Sequence, residues 1–314
     1  MIKDIILKSN IWFIQELRGS IKDIEIEENF DLLVQRPLGL LFTFLFISLN
    51  ITPLTVSLLS MILGIFSGVF FMMQDYIYFA LIGSLLLILA GILDSSDGQL
   101  ARLTNSSSKY GMIIDGFIDT IVFFAAYLGC SIYLYPKYGV WVFLLSIVSG
   151  FLHSVQSMLY DYQKNEFSYL VAHKTCYRNP TTEETKQCLN SKTTIWHRLL
   201  DYLYLDYVMK QNWFNTRKGS IKQKFESVSC DERQKAKFSQ SYKMTYLPLL
   251  SWWALLGGTN THRTLIIIFC LFKHFEYYLV INVFLTLPTL MLVLIQYRID
   301  LAFLKEFGYR NEHL

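Results

Sequence analysis

Long apolar runs, separated by short polar or proline-containing breaks, follow one another through most of the chain. Thr52 and Pro53 mark a helix start, because Thr can cap a helix and Pro is tolerated at its first position. The polar residues 104–109 form one break, and Pro136 with Gly139 forms another. A helix needs about 20 apolar residues to cross a hydrocarbon core about 30 Å thick. The pattern predicts an all-α, polytopic membrane protein, a bundle of six transmembrane helices at residues 54–73, 76–101, 111–134, 140–160, 265–280 and 282–299.

Four shorter or more polar segments lie outside these spans. Residues 1–36 are amphipathic, and we interpret them as a helix on the membrane surface, although a solvated cap fits equally well. Residues 37–49 are apolar but too short to span, which favours an interfacial or half-inserted helix. Residues 247–256 are also too short alone and either re-enter the membrane or join the next span. The predicted organisation is an N-terminal extension (1–36), a catalytic membrane core with spans 1–4 (37–160), a basic helical insert (161–243), and spans 5–6 with the tail (244–314).

Composition and charge agree with this class and exclude others. The chain has 314 residues, of which 53% are hydrophobic and 16% aromatic, and its net charge of +3 gives no reason to expect nucleic acid as a partner. The five cysteines are scattered and odd in number, so we expect free thiols. The N-terminus lacks the pattern of a cleaved signal peptide. Within residues 161–243, Lys and Arg outnumber Asp and Glu by 15 to 9. The positive-inside rule then places the insert on the cytoplasmic side, and we expect an integral protein of a bacterial inner membrane.

Four acids stand at the ends of two neighbouring spans. Asp94 and Asp97 share one face of the second predicted span, and Asp115 and Asp119 share one face of the third. An acid beside a membrane span is costly without a compensating cation, which makes the group a functional site by default. Carboxylates without nearby His or Cys suit Mg²⁺ or Mn²⁺ rather than zinc. We therefore predict two such ions on the same side of the membrane as the insert, where they would clamp a phosphate.

The same stretch resembles the signature of the CDP-alcohol phosphotransferase family (CDP-alcohol phosphatidyltransferase, class I). The match, D-x2-D-G-x2-A-R-x8-G-x3-D-x3-D over residues 94–119, has no mismatch. The likeness covers residues 37–160 well and the last two spans only by hydropathy. It implies a six-helix membrane core, often a homodimer, which transfers a phosphoalcohol from a CDP-linked donor to a second alcohol and releases CMP. It further implies that the four acids hold two divalent metals and that Asp119 also takes the proton from the attacking hydroxyl.

The resemblance also assigns residues to the two substrates. Implied contacts to the donor nucleotide are Ser57, Gly98, Ala101, Arg102 and Gly111. Leu54 replaces the Asn that usually follows the family's proline, which leaves the donor contact at that end less defined. Members that use phosphorylated polyols usually carry an Arg after the last acid, whereas this chain has Thr120. The residue at this position favours an unphosphorylated acceptor, with Lys109, Lys164 or a basic residue of the insert as substitutes for the missing cation.

The leading hypothesis is therefore an enzyme of membrane phospholipid biosynthesis. It would move a phosphatidyl group from a CDP-alcohol lipid donor to a small alcohol, in contact with membrane lipids. The opposite arrangement, a polar CDP-linked donor and a lipid alcohol such as diacylglycerol or ceramide, stays open. A cation transporter is the alternative from another class, and it predicts acids midway through the bilayer and internal repeats. We interpret His153 as a packing residue, and His262 with Arg263 either as an internal polar contact or as a misplaced span boundary.

Overall fold

The computed structural model describes residues 6, 11–21, 23–28, 30–187, 195–214, 218–228 and 231–307. The described residues form helices and no β-strand, so the predicted all-α fold is confirmed. A π-helical turn, Asp31–Gln35, precedes the second helix. The helices in chain order are α1 (Trp12–Ser20), α2 (Arg36–Ser48), α3 (Pro53–Phe71), α4 (Ile77–Leu103), α5 (Lys109–Tyr138), α6 (Trp141–Leu170), α7 (Thr182–Gln187), α8 (Ile195–Phe214), α9 (Lys218–Val228), α10 (Glu232–Gly257), α11 (Thr259–Leu271) and α12 (Phe275–Glu306).

Among the described residues, seven helical segments, one more than predicted, are long and apolar enough to cross a membrane by length and composition. The additional segment arises because the π-helical turn continues directly into α2, so the short apolar run becomes an 18-residue helix. The seven segments are Asp31–Ser48, Pro53–Phe71, Ile77–Leu103, Gly111–Tyr138, Trp141–Leu170, Glu232–Leu271 and Phe275–Glu306.

The first of these segments lies across the end of α4. Arg36, near the start of α2, contacts Ser95, and Thr43, seven residues later, contacts the adjacent Ser96. Phe46 packs in a cluster that includes Leu93. These contacts place α2 against the C-terminal part of α4, which carries Asp94 and Asp97. The interpretation of α2 as an interfacial or half-inserted helix stays a prediction.

The end of the membrane region differs from the prediction of spans at 265–280 and 282–299. α11 ends where Lys273 adopts a left-handed backbone conformation, with φ at 59°. The amide of His274 donates to the carbonyl of Phe269, which closes the helix end. α12 then begins at Phe275, and α10 and α11 together form one candidate crossing. The hydropathy pattern did not reveal this break, because apolar residues lie on both sides of Lys273 and His274.

The chain divides into two compact units, and the first contains the predicted acids. It comprises Met1–Ser154 and Thr259–Val283. Its helices α3 and α5 touch backbone to backbone. A Cβ atom at Gly129 would lie 2.0 Å from the carbonyl oxygen of Gly68, so only glycine allows this approach. Small residues at such crossings let membrane helices pack closely. The crossing holds the acid-bearing α5 against α3 along much of its length.

The N-terminal extension packs on this same unit. Leu17, Ile21 and Ile24 are buried in one cluster with Leu32 and Leu40. The apolar side chains in the described part of the extension therefore pack against the rest of the first unit.

The second unit comprises Val155–Gly258 and Phe284–Leu314, which takes in the predicted insert. The insert does not begin as a separate segment, because α6 continues the fourth span for ten residues past Tyr160. At its other end, α10 starts at Glu232, inside the predicted insert. The core of this unit is aromatic, with the rings of Tyr242 and Tyr246 stacked at 4.0 Å between centroids.

Candidate functional site

Three of the four predicted acids form one cluster. Asp94 and Asp97 project from the C-terminal part of α4, and Asp115 from the N-terminal part of α5. One carboxylate oxygen of each lies within 4.8 Å of those of the other two. The residues come together because positions i and i+3 share a face of α4, and that face meets the start of α5. The cluster is an all-oxygen donor set, which suits a hard divalent cation.

Ser57 orients one acid of this cluster. Its hydroxyl donates to Oδ2 of Asp97 and lies 3.1 Å from the carbonyl oxygen of Pro53. Both side chains are buried, with 7% of Ser57 and 5% of Asp97 exposed. Thr52 caps α3 by accepting from the amide of Thr55 at 3.3 Å, which fixes the turn that carries Ser57. Ser57 therefore sits behind the acid cluster as a partner of a candidate metal ligand.

Asp119 lies outside the three-acid cluster, although it is one helical turn from Asp115. Its Oδ1 is 4.0 Å from Nη2 of Arg263, a residue of α11. The side chain of Asp119 is 33% exposed, whereas that of Arg263 is 6% exposed. The predicted fourth acid is thus beside a buried guanidinium and partly open to its surroundings. Its assignment as base and metal ligand stays a prediction.

Arg36 is a second cation near the cluster, with a side chain that is 16% exposed. It donates through Nη2 to Glu27 at 2.8 Å and through Nη1 to Ser95 at 3.2 Å. Asp94 interacts electrostatically with both Arg36 and Arg263. Sequence reasoning missed the role of these arginines at the site, because one lies at the edge of the extension and the other in a distant span. The signal in the sequence was the charge of each arginine, since an ionisable residue at the end of a membrane span usually has a partner of opposite charge.

The predicted nucleotide contacts lie along the same end of α4 and α5. Arg102 donates through Nε to the carbonyl of Ser20, so this guanidinium is tied to the N-terminal extension. A Cβ at Gly98 would lie 3.4 Å from the Arg102 guanidinium, which is ordinary contact. Gly111 is exposed, and its amide donates to the capping hydroxyl of Ser108 at 3.0 Å. Ala101 is partly exposed.

The predicted acceptor residues, Lys109 and Lys164, belong to different units of the chain. The Lys109 side chain lies outside the described residues, and only its backbone, at the start of α5, is known. Lys164 belongs to the second unit, where its ammonium lies 5.6 Å from the centroid of the Tyr160 ring. Both assignments stay predictions.

The first unit also contains a buried cluster of histidine and tyrosine side chains. The rings of His153 and His262 stack at 3.9 Å between centroids, and Nδ1 of His262 lies 3.1 Å from the hydroxyl of Tyr278. That hydroxyl in turn is 2.7 Å from the hydroxyl of Tyr127. His153 is 5% exposed and packs edge-on against Phe123, in agreement with its interpretation as a packing residue.

These features define the class of protein. Several apolar helices and a carboxylate cluster at the junction of two of them describe an integral membrane protein with a candidate metal centre. Residues 50–176 match the family model described as CDP-alcohol phosphatidyltransferase. Residues 50–176 therefore carry a CDP-alcohol phosphatidyltransferase domain, which indicates a phosphotransferase enzyme and supports transfer of a phosphoalcohol from a CDP-alcohol. The match includes the whole acid motif and extends past the end of α6. No curated protein matches the chain significantly.

Proposed function

We propose that this enzyme transfers a phosphatidyl group from a CDP-linked lipid to a small, unphosphorylated alcohol and releases CMP, as a step of membrane phospholipid synthesis. The observation that carries the proposal is the cluster of Asp94, Asp97 and Asp115, inside the segment that matches the family. Lipid substrates fit an enzyme whose acid-bearing helices are candidate membrane spans.

The acids fit a divalent metal centre. Their oxygens converge within 4.8 Å, and the described residues of the cluster offer no nitrogen or sulfur ligand that would favour zinc. Asp94, Asp97, Asp115 and Asp119 would hold two Mg²⁺ or Mn²⁺ ions. Bound metal would supply positive charge that neutralises the donor diphosphate and its developing negative charge. Ser57 holds Asp97 in place for this task, as outer hydrogen-bonding partners of metal ligands commonly do.

The chemical step needs a base and an in-line attack. Asp119 takes the proton from the acceptor hydroxyl, and the oxygen then forms a bond to the phosphorus that bears the lipid alcohol. The bond from that phosphorus to the oxygen of CMP breaks, and CMP leaves with the electron pair. Asp119 suits the base role because its side chain is 33% exposed and lies one helical turn from Asp115, a member of the cluster. Gly98, Ala101, Arg102 and Gly111 would line the nucleotide, and Lys109 or Lys164 would meet the acceptor.

The location and assembly are part of the same proposal. We place the acids on the cytoplasmic side of a bacterial inner membrane, since the segment 161–243 is rich in Lys and Arg. We also propose a homodimer. Cysteine labelling from either side of oriented vesicles tests the orientation, and crosslinking in detergent tests the dimer.

A panel of substrates tests the reaction. Purified protein with Mg²⁺ is given labelled CDP-diacylglycerol and a set of small alcohols, or CDP-ethanolamine with diacylglycerol, and CMP is measured. We expect CMP release with the lipid donor, and a loss of about a hundredfold or more in Asp119→Asn at unchanged thermal stability. Release only from CDP-ethanolamine would reverse the donor and acceptor, and full turnover in Asp119→Asn would remove the base assignment.

A further inference from the structure

Helix α8 in the second unit carries a stripe of exposed apolar and aromatic side chains. These residues recur three or four positions apart, which places them on one face of the helix. The exposed stripe consists of Leu199, Tyr202, Leu203, Met209 and Trp213, with exposures from 41% for Met209 to 74% for Trp213. The other side of the helix is buried and includes Leu205 and Val208. An exposed apolar surface of this kind marks a contact with another apolar surface.

The buried side of α8 packs against helices that are candidate membrane spans. Two of its aromatic residues join a hydrophobic cluster with residues of α6 and α12, namely Tyr207 and Phe214 with Met158 and Leu292. The side-chain amide of Gln211 donates to the carbonyl of Met158 at 3.4 Å. α8 is therefore fixed against two candidate spans, although it is not itself among the seven candidate spans found in the described residues.

The depth of this contact follows from counting along the two helices. Met158 and Leu292 are each the eighteenth residue of their helix, α6 and α12. At about 1.5 Å per residue they lie about 26 Å from the helix starts, compared with a hydrocarbon core about 30 Å thick. Both helices start with or near an exposed aromatic residue of the kind found at membrane interfaces, Trp141 and Tyr277. α8 therefore meets α6 and α12 near the level where a span that begins there leaves the hydrocarbon.

Exposed aromatic residues also mark this second level. Tyr297 of α12 is 40% exposed, and Trp252 of α10 is 59% exposed and precedes Trp253, a member of the same cluster. Tyr and Trp are enriched at the membrane–water interface because their rings are apolar and their polar groups reach water. Tyr202 and Trp213 give the exposed stripe of α8 the same character. This composition favours the boundary between headgroups and acyl chains.

The charges of α8 balance one another. Besides a histidine, the helix carries two basic and two acidic residues, Arg198, Lys210, Asp201 and Asp206. On the exposed side, Nζ of Lys210 lies 2.5 Å from Oδ2 of Asp206. Because these charges cancel, apolar burial rather than attraction to anionic lipid would hold the helix at a bilayer.

We propose that α8 is an interfacial helix, whose exposed stripe lies in the headgroup and upper acyl region of the bilayer that contains the spans. The segment 161–243, which the sequence predicts as a cytoplasmic insert, is then attached to the membrane surface through this helix. α8 lies outside residues 50–176, the part of the chain that matches the family model. The inference goes beyond the proposed reaction and does not depend on it.

Photo-crosslinking from single positions tests the contact. p-Benzoylphenylalanine replaces Tyr202, Leu203 or Trp213, one at a time, in the full chain reconstituted in vesicles of phosphatidylcholine, with or without phosphatidylglycerol. Ser227 is the control, because it is an exposed position on α9, whose described side chains include no exposed large apolar residue. After irradiation, mass spectrometry of the intact protein measures the addition of one phospholipid, and gel electrophoresis detects crosslinked dimers.

We expect phospholipid adducts at the three stripe positions to exceed those at Ser227 by about fivefold or more, because the stripe is the side that lies in the bilayer. The yields should be equal in neutral and anionic vesicles, since the charges of α8 balance. A second measurement uses the unmodified protein and Trp213→Phe in vesicles of brominated phosphatidylcholine. The fluorescence that depends on Trp213 should be quenched more strongly by bromine near the headgroup than by bromine near the chain ends.

Other results would overturn the proposal. Crosslinked dimers as the main product would make the stripe an interface between two copies of this chain. Adducts no more frequent than at Ser227, with no quenching of Trp213, would place the stripe in water, and stronger quenching by bromine near the chain ends would place α8 within the hydrocarbon core. Both measurements proceed without substrate, so absence of CMP release would remove the proposed function and leave this inference unaffected.

Discussion

The hydroxyl of Ser57 donates a hydrogen bond to Oδ2 of Asp97, so α3 fixes the orientation of an acid on α4. Neither side chain is more than 7% exposed, so water has little access to replace the bond. Ser57, which the sequence assigned to the donor nucleotide, is therefore a hydrogen-bond partner of the candidate metal centre.

We expect Ser57→Ala to weaken metal binding. Loss of an outer hydrogen-bond partner typically lowers metal affinity about 10–100-fold. The Mg²⁺ concentration for half-maximal CMP release should rise by about tenfold or more, with the maximal rate at saturating Mg²⁺ largely retained. Ser57→Thr, which retains the hydroxyl, is the matched control. An unchanged Mg²⁺ requirement in Ser57→Ala would show that the bond does not support the centre.

The contact between Gly68 and Gly129 predicts a large stability effect from one methyl group. A Cβ at Gly129 would lie 2.0 Å from the backbone oxygen of Gly68, so the helices must move apart. Overpacking of this kind costs about 1–3 kcal/mol, or more where backbone is involved. The melting temperature of Gly129→Ala in detergent should fall by several degrees. Gly116→Ala on the same helix has open space around its added atom and should melt like the unmodified protein.

The two buried cysteines of the first unit predict a specific crosslink. The sulfur atoms of Cys130 on α5 and Cys270 on α11 lie 3.2 Å apart, and both thiols are free. A membrane-permeant oxidant such as diamide should join them in a disulfide, with reduction of the oxidant, and mass spectrometry of the digest should find the linked peptides. This disulfide would join α5, which carries Asp119, to α11, which carries Arg263. Cys130→Ala should abolish the crosslink, and failure of the unmodified protein to form it would contradict the packing of α5 on α11.

In the second unit, an ion pair with Arg178 lowers the pKa of Glu184. Arg178 donates to both oxygens of Glu184, at 3.0 and 2.7 Å, and this pairing lowers the pKa of Glu184 to about 2. A carboxyl group with a depressed folded pKa contributes stability above its unfolded value, near 4.5, and that contribution disappears as the pH falls through about 2.

The expected result is a pH-dependent difference between the protein and Glu184→Gln. The melting temperature of the variant should be lower by the same amount from pH 8 to pH 5, and the gap should close as the pH falls from 4.5 towards 2. The gap should be small because the two side chains are 34% and 41% exposed, so solvent screens the pair. Glu183→Gln, at the neighbouring position of the same short helix, is the control. A gap that grows at low pH would contradict the sign of the shift.

Several features could be predicted from the sequence because they depend on local order. Apolar runs long enough for a membrane predicted the helices, and the spacing of Asp94, Asp97 and Asp115 predicted that their side chains face one another. Each of these follows from the fixed geometry of a helix.

Other features could not be predicted because they depend on residues far apart in the chain. Hydropathy did not show that Lys273 ends α11 in a left-handed conformation, nor that the turn before α2 lengthens a short apolar run. No sequence periodicity connects Arg263 to Asp119, since the two residues are 144 positions apart in the chain. Such pairs depend on which helices pack together.

The sequence by itself determined the class of this protein, the four long helices α3 to α6, and the identity of the acids, since helix spacing and membrane length are local constraints. The tertiary structure decided which acids converge and which one stands beside a buried arginine. The physical reason is helix packing. Gly91 has no side chain, so the guanidinium of Arg263 on α11 can lie against α4, and this packing places a positive charge beside Asp119.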